Sequence, residues 1–93
     1  MGVANQRNML GKVRKAAQKK VLFLPHALRQ MLRPDRIVTR REVREVIMDG
    51  EVIEDYPEDP RGHSCLLLGF GGEGRAIHVV CSPREEYLAI ITA

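Results

Sequence analysis

The chain has 93 residues, 44% of them hydrophobic and 29% charged, with few aromatics and no Trp. That is room for one domain with a single aliphatic core, and not for a second domain. No apolar run approaches the roughly 18 residues of a membrane span, and the basic, interrupted first twenty residues do not read as a signal peptide, so the expected location is the cytoplasm.

The net charge of +3 conceals a strong asymmetry. Up to Arg44 there are twelve Lys or Arg against only Asp35 and Glu42, whereas Glu45 to Pro60 holds seven acids and no base. A basic lobe of this kind attracts polyanions through phosphate neutralisation and counterion release, which makes nucleic acid the first partner to consider. The plainer reading is a solvated basic helix surface.

The elements follow in chain order. Met9, Leu10, Val13, Ala16 and Ala17 fall on one stripe with bases on the other faces, predicting an amphipathic helix from about Ala4 to Lys19, weakened by Gly11. Val21 to Leu24 is a short apolar link, at most one extended step. Pro25 suits the first turn of a second helix, to about Leu32, that buries Ala27, Leu28, Met31 and Leu32. Pro34 and Asp35 break it. Thr39 and Glu42 have capping-box spacing at the head of a third helix, about Arg40 to Met48, which Gly50 is expected to close in the left-handed conformation.

Beyond Gly50 the period becomes extended. Glu51 to Tyr56, His63 to Phe70, Arg75 to Ser82 and Glu86 to Thr92 read as four strands. The expected fold class is α+β, with two to three amino-terminal helices packed on a four-stranded antiparallel sheet. Residues 1–20 form the basic helix and 21–93 a single α+β domain.

Two motifs fail on physical grounds. Gly69 to Gly74 spells the dinucleotide pattern G-x-G-x-x-G, but the segment after it is a β pattern, so no helix amino terminus stands ready for a pyrophosphate. The glycines read as a hairpin loop, and no cofactor is expected. His63, Cys65, His78 and Cys81 are zinc-type ligands, yet His78 and Cys81 are three apart on a strand and point to opposite faces, so no metal is expected either. Both cysteines read as small buried hydrophobes, with a redox or disulfide role as the alternative.

The residues that can carry chemistry are His26 and His78. His26 opens the second helix, and Arg29 and Arg33, at i+3 and i+7, share its face, with Arg36 just beyond; guanidinium forks suit phosphate oxygens. His78 lies on the less apolar side of its strand. Tyr56 and Arg61 are candidates to face the same cleft. Should the two imidazoles converge, one can take a proton from a ribose 2′-hydroxyl while the other gives one to the departing 5′-oxygen. The alternatives are a helix-capping or surface imidazole for His26, a hydrogen-bonded packing residue for His78, and plain packing or a loop charge for Tyr56 and Arg61.

His26-Ala27-Leu28-Arg29-Gln30-Met31, Glu42-Val43-Arg44-Glu45-Val46, Gly50 to Pro57, Ser64-Cys65-Leu66 and His78-Val79-Val80 together resemble the bacterial and archaeal family called domain of unknown function 4258, over about Val21 to Ala93. The resemblance implies helices packed on an antiparallel sheet. It also implies kinship with RelE-like and barnase-like ribonuclease toxins, RNA as substrate and a cognate antitoxin as protein partner. Gln30 stands where the family commonly has Arg, so Arg29 would take over its phosphate contact. The expected function is a metal-independent endoribonuclease of toxin type, and the alternative a non-catalytic RNA-binding or partner-binding module.

Overall fold

The computed structural model describes residues 3–93, with side chains from Gln6 onward; residues 1–2 of the expected amino-terminal helix lie outside the described part. Three helices, α1 (Val3–Lys19), α2 (Pro25–Met31) and α3 (Arg40–Asp49), accompany five strands, β1 (Val21–Phe23), β2 (Glu51–Tyr56), β3 (Ser64–Phe70), β4 (Ala76–Pro83) and β5 (Leu88–Thr92). The strands form one sheet in the order β1-β5-β4-β3-β2.

The α+β class is as expected, but the sheet has five strands and is mixed. The apolar link Val21–Phe23 is the added strand, and it lies parallel to β5, with Val21 beside Leu88 and Phe23 beside Ile90. Its ends are fixed by Leu88 N–H donating to the Lys20 carbonyl at 2.8 Å and Leu24 N–H to the Ile90 carbonyl at 3.0 Å. Three residues carry too little alternation to announce a strand, and its partner lies at the far end of the sequence.

All buried apolar helix residues join one cluster: Met9, Val13 and Ala16 of α1, Ala27 and Met31 of α2, and Val43, Val46 and Ile47 of α3. They meet Cys65 and Leu67 of β3, Ile77, Val79 and Cys81 of β4, and Leu88 and Ile90 of β5. The helices therefore cover one face of the sheet. At roughly 1.5–3 kcal/mol per fully buried aliphatic side chain, this face supplies most of the driving force. Of the other alternate set, Leu66 and Leu68 of β3 and Val80 of β4 stay outside the cluster and half-buried, while Ser64, Ser82 and Ala89 are fully buried.

The amino-terminal helix belongs to this core, so residue 20 marks no structural boundary. It also completes α3. Arg14 donates from Nε to the Ile47 carbonyl at 2.9 Å and from Nη2 to the Gly50 carbonyl at 3.2 Å, supplying the cation that the end of α3 lacks in its own sequence. Gly50 closes α3 with φ −82°, not left-handed as expected. Glycine is needed there for space: a Cβ would lie 2.5 Å from the Val46 carbonyl oxygen and 2.6 Å from that of Leu68.

The expected capping box is present, with the Glu42 N–H donating to Thr39 Oγ1 at 3.1 Å and the Thr39 N–H to Glu42 Oε1 at 3.0 Å. Glu42 reaches further than a cap requires. Its carboxylate also accepts the Gly72 N–H at 2.9 Å and both oxygens accept Arg75 Nη2, at 2.9 and 2.8 Å. Three donors of this kind stabilise the charged form against burial, Thr39 and Gly72 backbone N–H first and Arg75 next, and lower its pKa from 4.5 to about 2.

Because the folded pKa is depressed, the stabilisation is fully present above the unfolded value and is lost as pH falls from about 4.5 toward about 2. Allowing for the half-exposed Arg75, it is on the order of 2 kcal/mol. Denaturant melts of wild type and Glu42→Gln should accordingly differ by about that amount at pH 7 and converge near pH 2. A gap that persists unchanged into acid would contradict this. Gly50→Ala should lower the midpoint by more than 1 kcal/mol equivalent, since both crowding atoms are backbone.

Candidate acid–base site and nucleic-acid interface

Pro25 occupies the first turn of α2, where its missing N–H costs no hydrogen bond, and places His26 on the exposed side with Arg29 one turn on. The helix stops at Met31, so Arg33 and Arg36 lie in the following turn rather than on a continued helical face. The Pro34 ring is the reason, as it disfavours helical geometry at the residue before it. Arg33 is further engaged by Asp35 at 3.3 Å. Of the expected phosphate ligands, only Arg29 shares the face of His26 on the helix.

His78 lies on β4, in register with Leu68 of β3, on the face opposite Ile77 and Val79. It is exposed, and so is not a packing residue. Register relates the two imidazoles. Phe23 pairs with Ile90 in parallel and Ile90 with Cys81 in antiparallel fashion, so His26, three residues after Phe23, and His78, three before Cys81, leave that rung toward the same end of the sheet. Strand β5 separates their strands, a lateral step of roughly 10 Å between β1 and β4, and the sheet lies between them, since α2 packs on the core face and His78 is exposed on the other.

Tyr56 and Arg61 stand at the other end. Tyr56 pairs with Ser64, four residues along β3 from Leu68, or roughly 13 Å at strand rise. Its hydroxyl donates to Glu54. Arg61 is taken up by Asp59, donating from Nε at 3.0 Å and Nη2 at 2.9 Å. Asp59 also accepts from Ser64 Oγ at 2.7 Å, and the Arg61 and Ser64 bonds hold its carboxyl well below the usual carboxylate range. Arg84 Nη2 donates to the Arg61 carbonyl, while Ser82 Oγ donates to the His63 carbonyl at 2.7 Å. This is a network that shapes the β2–β3 loop, and it uses Arg61 locally.

The loop also meets β2 through a pair not expected from the sequence: His63 Nε2 and Asp55 Oδ1 lie 2.6 Å apart. The hairpin register brings them together, and eight residues of separation gave no sign of it. Gly72–Gly74 forms a short 3₁₀ turn in which Glu73 has φ 60° and Gly74 φ 72°, so the glycine-rich run is the β3–β4 turn, with a strand and not a helix after it. Among the described residues no three His, Cys, Asp or Glu side chains gather as a metal site, and His78 and Cys81 occupy opposite faces.

The charge separates in space. Lys12, Lys15 and Lys19 of α1 and Arg40, Arg41 and Arg44 of α3 are exposed on the helical side. The Arg40 and Arg44 guanidinium carbons approach the Phe23 ring centroid to 5.2 and 5.9 Å. The acids Glu51 and Glu54 lie on β2, the strand at the opposite edge from β1.

Residues 23–93 match the family described as Domain of unknown function (DUF4258). The chain belongs to this family. No curated protein and no solved structure matches it. The DUF4258 region begins at Phe23, after α1, although Met9, Val13 and Ala16 of that helix sit in its core. No helix among the described residues is long and apolar enough to cross a membrane.

Cys65 and Cys81 lie directly opposite one another on β3 and β4, both fully buried and free. The neighbouring Cys65 and burial push the Cys81 thiol well up, away from the reactive thiolate. A water-soluble thiol reagent should therefore label neither cysteine of the native DUF4258 domain within minutes and both in denaturant; rapid native labelling would show that β3 and β4 part readily.

Proposed function

We propose that this DUF4258 protein is an endoribonuclease of toxin type, acting on RNA in the cytoplasm and restrained by a cognate protein partner. The observation that carries the reading is the exposure of His78 on the sheet face that no helix covers, with His26 and Arg29 exposed toward the same end. An imidazole there meets substrate without displacing core side chains. As imidazolium it can give a proton to a departing 5′-oxygen, while His26 and Arg29, exposed on the helical layer toward the same end of the sheet, favour the flanking RNA backbone. The basic residues of α1, α2 and α3 favour a polyanion, and RNA is the substrate that the resemblance to RelE-like and barnase-like ribonucleases would imply.

In this reading Tyr56 and Arg61 serve the β2–β3 loop. The chemistry runs through side chains alone and calls on no cofactor.

Induction of the chain in a bacterium should arrest growth, and purified protein should leave 2′,3′-cyclic phosphate ends on single-stranded RNA. His78→Ala should lower kcat by about 10²–10⁴-fold with unchanged thermal stability, as expected for loss of a proton-transfer group. Undiminished cleavage by that variant would remove His78 from the mechanism. RNA affinity should fall steeply as salt rises, the slope following the number of phosphates neutralised. Salt-sensitive binding without any cleavage would instead favour the non-catalytic RNA-binding module, which the exposed bases of α1 and α3 suit equally well.

A further inference from the structure

We infer that Glu51 is the proton acceptor that works opposite His78, and that the two straddle the scissile linkage on the uncovered sheet face. The inference rests on the RNA-cleaving reading and adds to it a residue that neither the motif nor the charge pattern singled out. Glu51 of β2 pairs with Leu68 of β3, and Leu68 pairs with His78 of β4. Paired residues in adjacent strands project to the same face, so carboxylate, isobutyl group and imidazole form one row across the sheet.

That face is the one outside the helical core. Glu51 and His78 are both exposed. Two strand spacings set their backbones roughly 10 Å apart, leaving a gap floored by the apolar Leu68 and bounded by a base on one side and an acid on the other. The next residue of β3 on the same face is Phe70, 62% exposed and opposite the small Ala76, so its ring is open to solvent. An unburied aromatic beside an acid–base pair is a stacking surface for a nucleobase.

The row is electrostatically simple. Leu66, Leu68 and Phe70 of β3 carry no charge, β4 contributes only His78 among Ala76, Val80 and Ser82, and β5 and β1 have no charged residue at all. The other carboxylate of β2 on this face, Glu54, accepts the Tyr56 hydroxyl. Arg75, at the foot of β4, is held by Glu42.

The step balances. Glu51 takes the proton of the 2′-hydroxyl as that oxygen bonds to phosphorus; the P–O5′ bond breaks, and the imidazolium of His78 gives its proton to the 5′-oxygen. The products are a 2′,3′-cyclic phosphate and a free 5′-hydroxyl. Glu51 is left protonated and His78 neutral, and exchange with water restores both.

The test uses the full chain and a labelled single-stranded RNA oligonucleotide, with kcat and KM measured from pH 4 to pH 9. Glu51→Gln should lower kcat by about 10²–10⁴-fold, leave KM nearly unchanged and remove the acidic limb of the bell-shaped profile, with partial recovery in Glu51→Asp. Phe70→Ala should raise KM about tenfold with little change in kcat, and Phe70→Trp should restore it. A Glu51→Gln protein that cleaves at the wild-type rate with both limbs intact overturns the assignment of Glu51 while leaving the nuclease reading in place. Wild-type protein that leaves RNA whole overturns both.

Discussion

A single carboxylate joins the helical layer to the sheet. Glu42 begins as the helix cap that its spacing from Thr39 predicts, and then continues across the interface to the Gly72 N–H and the Arg75 guanidinium. It thereby fixes the first turn of α3 against the β3–β4 turn, which joins the strand of Phe70 to that of His78. Gly71 is part of the same arrangement, since a Cβ there would collide with the Glu42 carboxylate and with Ile77. A neutral side chain in place of Glu42 would leave the Gly72 N–H and Arg75 without their acceptor and loosen the entry to β4. Burial of such a charge is tolerable only because several donors converge on it.

At the other end of α3, Arg14 does the complementary thing. It comes from α1, outside the family match, and meets the Ile47 and Gly50 carbonyls. The helix is thus held by an acid at its amino end and a borrowed base at its carboxyl end, both in the sense its dipole favours. With α1 and α3 fixed on one side of the sheet, the opposite side is buried at Ser64, Ser82 and Ala89 and exposed at Glu51, Phe70 and His78. Function is read from that remainder: His78, Glu51 and Phe70 are available because nothing in the helical layer needs them.

Much of this was legible from residues alone. Thr39 and Glu42 announced α3, Pro25 opened α2, and the alternation of Ile77, Val79 and Cys81 with His78 and Val80 assigned the faces of β4 correctly. Three features were not legible. Val21–Phe23 became a strand through a partner at the end of the chain, Gly50 was fixed by the approach of two carbonyls rather than by its own φ, and Arg33 was lost to the helix face when α2 stopped at Met31. The candidate site divided in the same way: His26, Arg29 and His78 lie toward one end, while Tyr56 and Arg61 lie at the other, a separation that depends on hairpin register and not on spacing.

What the sequence determined by itself is local: helix starts, the periodicity of each element, which side chains of a strand share a face, and the concentration of positive charge before Arg44. These follow from the fixed geometry of 3.6 and 2 residues per repeat and from interactions that span a few residues. Only the tertiary structure decided which strands are neighbours, which way the uncovered face points, and that Glu51 and His78 share a row. Those are pairings between distant segments, selected by burial of one common apolar cluster, and no short stretch of the chain contains both partners.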